Sequence, residues 1–229
     1  MGSNLKYKFI KSSKLFKNLS EDELKDLYKN PNLEFAEYKK SQILFNALDT
    51  PKYLFILGDG AVKVEKNDIH GKKVIVNLFK NSGTVFGEVY LYLEDRAYDY
   101  SCVAMKDTRV LKMPRDFLIS LGDLKKPYYK TLVDNMLEIL ASKAYHLNQK
   151  LLILGSYTLR QKIANYIIQF ADEDDSVYLK FNRQELSEYI GSTRPSLSRE
   201  LMAMVDEKII EVKKDKIKIL DRSYLEDII

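Results

Sequence analysis

The side chains best placed to do chemistry in this chain are Arg194 and Arg199, with Ser198 and Pro195 between them. A guanidinium can donate two parallel hydrogen bonds to O6 and N7 of guanine in a major groove, which discriminates between bases by ~1–3 kcal/mol. Leu197, Leu201, Met204 and Val205 recur at i, i+4, i+7 and i+8, so this segment has one apolar face, and Arg194, Ser198 and Arg199 fall on the other. Arg199 is the expected base reader; Arg194 either reads a base or clamps a phosphate. Pro195 brings no hydrogen bond to a base, and in a first helical turn its missing amide leaves nothing unpaired. Its ring disfavours helical geometry at Arg194, so the helix start is open by about one residue.

Catalytic chemistry has no comparable constellation. His70 falls in a turn and His146 on a long helix, outside metal-ligand spacing with each other. No G-x-S-x-G occurs, and Gly71-Lys-Lys lacks the upstream glycine and the Ser/Thr of a phosphate-binding loop. The single cysteine, Cys102, excludes an intramolecular disulfide, a multi-cysteine zinc site and a four-cysteine cluster, and it favours a reducing cytoplasm. The expectation is a protein that is not an enzyme and holds no metal or cofactor. Glu88 with Asp99 is the one carboxylate pair worth mutating against that expectation.

These side chains must be positioned by the elements around them. Gln184 to Ile190 and the segment after Gly191 read as two short amphipathic helices with a glycine at the junction, the grammar of a helix-turn-helix. Asn182-Arg-Gln-Glu185 is a capping box that starts the first of them, and Ser192 or Thr193 caps the second. Beyond, Ile209–Val212 and Ile217–Leu220 flank Lys213-Lys-Asp-Lys216, a hairpin whose Lys213, Lys214 and Lys216 form a basic wing directed at phosphates. Upstream, Tyr157–Ala171 reads as a helix, Asp172–Asp175 as an acidic solvated loop and Val177–Phe181 as a short strand.

The first half has a different texture. A capping box, Ser20-Glu-Asp-Glu23, opens a helix to about Tyr28. Short β-type runs then follow at 33–38, 42–45, 53–57, 61–65, 73–79, 98–105 and 109–113. Asp49-Thr-Pro51, Gly58-Asp-Gly60, Asn67-Asp68 with Gly71, and Asn81-Ser-Gly83 supply the turns. Strands this short and regular predict a sandwich or jelly-roll barrel. After Pro127, Val133, Leu137, Leu140, Ala144, Leu147, Leu151 and Leu154 step by alternating fours and threes, a heptad seam ending at Gly155. Such a seam fits a homodimer joined through one long helix; the alternative is a helix lying on its own barrel. The fold class is α+β, with a sensing barrel at 1–124, the long helix at 125–155 and a winged helix-turn-helix at 156–229.

Charge is less telling. The net +4 is small, and residues from Ser156 onward carry 12 basic against 14 acidic side chains, a net of −2 that leaves +6 for the rest. Nucleic-acid binding there must rest on local clusters. An acidic total also suits a second reading, a small-molecule-binding module whose winged helix makes protein contacts. No apolar run reaches the ~20 residues that span a bilayer, and no signal-peptide pattern opens the chain, so a cytoplasmic protein is expected.

The order of barrel, long helix and winged helix resembles the catabolite activator/fumarate-nitrate regulator (CRP/FNR) family of bacterial transcription factors over nearly the whole chain. Leu15-Phe-Lys-Asn-Leu-Ser20, Tyr53-Leu-Phe-Ile-Leu with Gly60-Ala-Val-Lys-Val, Gly71-Lys-Lys-Val-Ile-Val and Phe86-Gly-Glu88 are similar to family motifs and stand in family order. Gln184-Glu-Leu-Ser, Ser198-Arg199 and Ile209-Ile-Glu-Val are similar to its DNA-binding region. The resemblance implies a homodimer on a pseudo-palindromic double-stranded DNA promoter site, an effector in the barrel, and RNA polymerase as a further partner. Members that bind cyclic AMP hold its phosphate with an arginine in an Arg-Ser/Thr-Ala cassette. Here the aligned positions read Tyr98-Asp99-Tyr100, with Arg96 two residues away, and Leu147-Asn148 stand where those members place Thr-Ser. A carboxylate opposite a phosphate is unfavourable in a partly buried pocket, so cyclic AMP is not the expected effector. Gly87, Glu88, Tyr98, Tyr100 and Cys102 remain as a pocket rim for an aromatic or uncharged effector, or as barrel filling with no ligand. Many members have Glu at the position of Pro195, so base preference there should change or relax.

Overall fold

The computed structural model describes residues 3–67, 73–93, 96–119, 126, 128–179 and 181–229. The chain divides into two compact units, Met1–Leu140 and Ala141–Ile229, and the helix Tyr128–Gly155 runs through the division. His70, Gly71 and the other residues of the expected turn at 68–72 lie outside the described residues.

The first unit opens with α1 (Ser3–Ser12), which no capping motif announces, then α2 (Glu21–Lys29) with the Ser20–Glu23 capping box closed in both directions. Among the described residues eight strands follow: β1 (Glu34–Tyr38), β2 (Ile43–Phe45), β3 (Tyr53–Asp59), β4 (Val62–Asn67), β5 (Lys73–Phe79), β6 (Val85–Phe86), β7 (Ser101–Ala104) and β8 (Thr108–Pro114). A short helix α3 (Glu88–Tyr92) lies between β6 and β7, and α4 (Arg115–Ile119) follows β8. The strands form two four-stranded antiparallel sheets in the orders β1-β8-β3-β6 and β2-β7-β4-β5.

Alternation along β3 and β8 gives the first sheet two apolar faces. Leu54, Ile56, Leu111 and Met113 pack with Ile10, Leu24, Phe117 and the start of the long helix. Phe55, Leu57 and Val110 instead meet Phe45, Val62 and Cys102 of the second sheet. Gly58 lets the Phe9 ring lie against β3, because a Cβ there would come within 2.2 Å of the ring.

The long helix, α5 (Tyr128–Gly155), separates two roles by period. Tyr128, Tyr129, Leu132, Met136 and Ile139 are buried in the first unit's core. Asn135, on the same stripe, donates to the carbonyls of Leu15 and Lys17 at 2.9 and 2.7 Å. Most of the heptad stripe is left outside: Val133, Leu137, Leu147, Leu151 and Leu154 are 37–59% exposed, whereas Leu140 packs against the first unit's core. One face of the helix thus lies on the core of the first unit, and another carries an exposed apolar stripe.

The second unit contains α6 (Leu159–Phe170), β9 (Ser176–Tyr178), α7 (Arg183–Ile190), α8 (Arg194–Asp206), the hairpin β10 (Ile210–Lys213) and β11 (Lys216–Ile219), and α9 (Arg222–Asp227). β9 joins the hairpin to make a three-stranded antiparallel sheet, ordered β10-β11-β9. Ile163 and Ile167 of α6, Leu186 and Ile190 of α7, and Leu197, Leu201 and Met204 of α8 share one core with Ile153 from the end of α5. Among the described residues no helix is long and apolar enough to cross a membrane.

Candidate nucleic-acid interface

The interface begins at the joint between α7 and α8. Asn182 accepts from the Glu185 amide at 2.9 Å while the Glu185 carboxylate accepts from the Asn182 amide at 3.1 Å, so the first helix starts at a fixed residue. It ends at Gly191, whose φ of 73° is left-handed and whose missing Cβ would stand 2.9 Å from Leu154 Cδ2. Thr193 caps α8 by accepting from the Ser196 amide at 3.3 Å, and Arg194 and Pro195 occupy its first turn. Thr193, not Ser192, is thus the cap. Ser192 closes the turn by donating its amide to the Ser187 carbonyl at 2.8 Å.

On this frame the apolar stripe Leu197, Leu201, Met204 is buried, Val205 is half-buried, and Arg194, Pro195 and Arg199 are exposed with Ser198 half-exposed beside them. Among the described residues neither Arg194 nor Arg199 has an ion-pair or side-chain hydrogen-bond partner. Two arginines held on the outer face of a capped helix, with no carboxylate engaged, keep all their donors for a partner molecule.

The wing places its lysines unequally. Lys213 pairs with Glu211 at 2.7 Å, and the Lys216 ammonium sits 5.0 Å from the centre of the Tyr178 ring. Lys214 has no such partner among the described residues. It is exposed at the hairpin tip, with a left-handed φ of 49° that a non-glycine residue adopts at some cost. The Asp215 carbonyl beside it accepts from the Leu179 amide at 2.7 Å, tying the tip to the segment after β9.

Part of the acidic charge of this unit is engaged within it. Arg160 binds Glu200 and Glu207, and Arg222 binds Asp175 and Glu226. Asp172 and Asp221 accept backbone amides at turns and caps, as Glu185 does. The Arg160 guanidinium holds the Glu207 carboxyl below the usual carboxylate range, and the amide of Tyr224 does the same for Asp221. No motif in the sequence marks Arg160. Its only local signal is a cation in the first turn of a helix, where the dipole disfavours it.

In the first unit the five residues expected to rim an effector pocket take different positions. Gly87, with a left-handed φ of 79°, precedes α3, and Glu88 is buried in its first turn. The strand expected over 98–105 is shorter, beginning at Ser101. Tyr98 lies before it because its backbone pairs with the 48–49 loop, exchanging bonds with Leu48 at 2.8 Å and Asp49 at 3.1 Å. The Tyr98 ring stacks on Phe45 with centroids 3.9 Å apart and meets Tyr90 edge-on at 5.1 Å. Phe55, Phe79 and Phe86 continue the same aromatic core, and Cys102 is fully buried in it, its thiol pushed up to about 12 by burial. Tyr100 is half-buried at the edge, 5.8 Å from the Lys66 ammonium, while Asp99 is exposed and accepts from the Tyr90 hydroxyl at 3.2 Å. Arg96 is exposed. Among the described residues no three His, Cys, Asp or Glu side chains are grouped to hold a metal.

Comparison with known proteins agrees with this geometry over both units. The model of the cyclic nucleotide-binding domain matches residues 35–123, and that of the Crp-like helix-turn-helix domain matches residues 161–228. The Cyclic AMP receptor protein of Thermus thermophilus is 23% identical over 220 residues, covering 96% of this chain and 98% of its own. The Global nitrogen regulator of Synechococcus elongatus is 22% identical over 197 residues, covering 82% and 86%. Among solved structures, that of a CooA mutant from Carboxydothermus hydrogenoformans shares the fold with a TM-score of 0.57 at 19% identity, covering 86% of this chain and 87% of that one. With both family models in chain order and the long helix between them, the chain belongs to the CRP/FNR family of bacterial transcription regulators.

Proposed function

We propose that this regulator acts in the cytoplasm, with no enzymatic activity, as a homodimer joined along the exposed heptad stripe of α5. Each protomer inserts α8 into the major groove of one half of a pseudo-palindromic site. Arg199 and Ser198 read bases there, Arg194 reads a base or holds a phosphate, and Lys214, with Lys213 and Lys216, contacts the flanking backbone. Half-sites about one DNA turn apart, ~34 Å, would match two such helices. The observation that carries this reading is that, among the described residues, Arg194, Arg199 and Lys214 are exposed and unpaired, in a unit where Arg160 and Arg222 are engaged with carboxylates.

The proposal extends to regulation. Asp99 at the aligned phosphate position and an aromatic core filled by Phe45, Tyr98 and Phe86 favour an effector other than cyclic AMP, or none. RNA polymerase is the partner through which a promoter-bound dimer would act. Selection of bound sequences from random duplex DNA, with and without cell extract, tests the reading directly. The expected result is enrichment of a two-fold symmetric motif, unchanged by cyclic AMP; a pool that stays random in both conditions would overturn it.

A further inference from the structure

One side chain ties the recognition helix to two other helices at once. Glu200 on α8 and Glu207 at its C-terminal cap are seven residues apart, two turns along one face. Arg160, in the first turn of α6, spans both of them. Its Nε donates to Glu200 Oε1 at 2.6 Å, and Nη1 and Nη2 donate to the two Glu207 oxygens at 2.6 and 2.7 Å. Nη1 also donates to the Tyr224 hydroxyl on α9 at 3.0 Å. Four donor contacts in a planar fork fix both distance and angle, which a lysine's point charge cannot do.

The arginine is not explained by its own helix, because a cation in a first turn opposes the helix dipole. Nor is it a loose surface pair: the side chains of Arg160 and Glu200 are 26% and 27% exposed. The apolar stripe Leu197, Leu201 and Met204 already holds α8 on the domain. What a single stripe leaves least restrained is the roll of a helix about its own axis, and that roll decides where Arg199 points.

From this geometry, and resting on the DNA-binding reading of α8 given above, we infer that Arg160 is a positioning residue for sequence recognition. It sets the roll of α8 against α6 and α9 and withdraws the carboxylates of Glu200 and Glu207 from the path of DNA phosphates. Base discrimination should depend on Arg160 even though another residue reads the base.

The test uses the full-length protein and the site selected by the wild type. Affinities for that site and for random duplex are measured for wild type, Arg160→Met, Arg160→Lys and Glu207→Gln, alongside thermal melting. Arg160→Met is expected to lower the specific-to-random affinity ratio by about tenfold and to broaden the base preference in each half-site. Arg160→Lys, which keeps the charge but not the fork, should lose most of the ratio too, and Glu207→Gln a smaller part. If Arg160→Met does not fold, Arg160→Lys and Glu207→Gln carry the test alone. Variants that lose stability or affinity for both DNAs equally, with ratio and base preference unchanged, would show that Arg160 merely holds the domain together. Wild-type protein with no sequence preference would instead remove the underlying reading, and this inference with it.

Discussion

Replacing Leu147 and Leu151 together by alanine should dissociate the proposed dimer without unfolding the helix. Both side chains lie on the heptad stripe of α5, 58% and 56% exposed in the isolated chain. Full burial of a leucine is worth ~1.5–3 kcal/mol, so covering the exposed part of each contributes roughly 0.9–1.7 kcal/mol. Two positions in each of two protomers make roughly 3.5–7 kcal/mol in the dimer. At 1.4 kcal/mol per factor of ten, the dimer dissociation constant should rise between about 300-fold and about 10⁵-fold. Alanine is the best helix former, so helical content should be kept. Sedimentation velocity over a dilution series gives the mass, and circular dichroism checks the helix. Leu152→Ala is the internal control: that side chain is 66% exposed but lies off the stripe, so its loss should leave the association constant near wild type. A double variant as dimeric as the wild type, or a control that dissociates equally, would refute the assignment of the interface.

The remaining expectations concern single residues. Arg199→Ala should weaken the preferred site by ~1–3 kcal/mol and relax one base position, whereas Lys214→Ala should weaken all sequences alike and reduce the salt slope, which competition titrations at several salt concentrations would separate. Lys214→Gly should stabilise the hairpin by up to ~1 kcal/mol, since it relieves the left-handed φ of 49°, and still bind DNA less well; a melting point that falls would contradict the strain argument. Cys102, with its thiol pushed up to about 12 by burial, should resist alkylation at pH 8 until the protein is unfolded. Because burial favours the neutral thiol in the fold, its contribution to stability is complete below the ordinary thiol value and falls as the pH rises above it, so Cys102→Ala should flatten the alkaline part of the stability curve.

The features legible in the amino-acid sequence are those that depend on near neighbours. The Ser20–Glu23 and Asn182–Glu185 capping boxes join residues three apart, the glycine at 191 answers a local demand for left-handed φ, and the heptad stripe is a spacing rule. The box at Thr158–Gln161 is equally local. α3 escapes such rules because Val89, Tyr90 and Tyr92 prefer strands, and burial of Glu88 and Leu91 overrides that preference. The aromatic core around Tyr98 and the Arg160 clamp are out of reach for a different reason. Arg160 finds its partners 40, 47 and 64 residues further along, and no local pattern reports a contact of that span.

The clamp also bears on the mismatch between an acidic domain and a polyanionic target. Net charge counts every carboxylate equally, but a phosphate backbone senses the charges that face it without local compensation. Glu200 and Glu207 are held by Arg160, Asp175 and Glu226 by Arg222, and Glu211 by Lys213, so part of the acidic charge is compensated where it sits, while each arginine, one cation against two carboxylates, leaves its cluster anionic. Among the described residues, Arg194, Arg199 and Lys214 are the uncompensated cations on the helix and wing tip. A surface of this kind has few phosphate contacts, so its nonspecific affinity should be weak and its salt slope shallow. Weak nonspecific binding raises the relative weight of each base contact. Discrimination then depends on how accurately α8 is held, which is the task the geometry gives to Arg160.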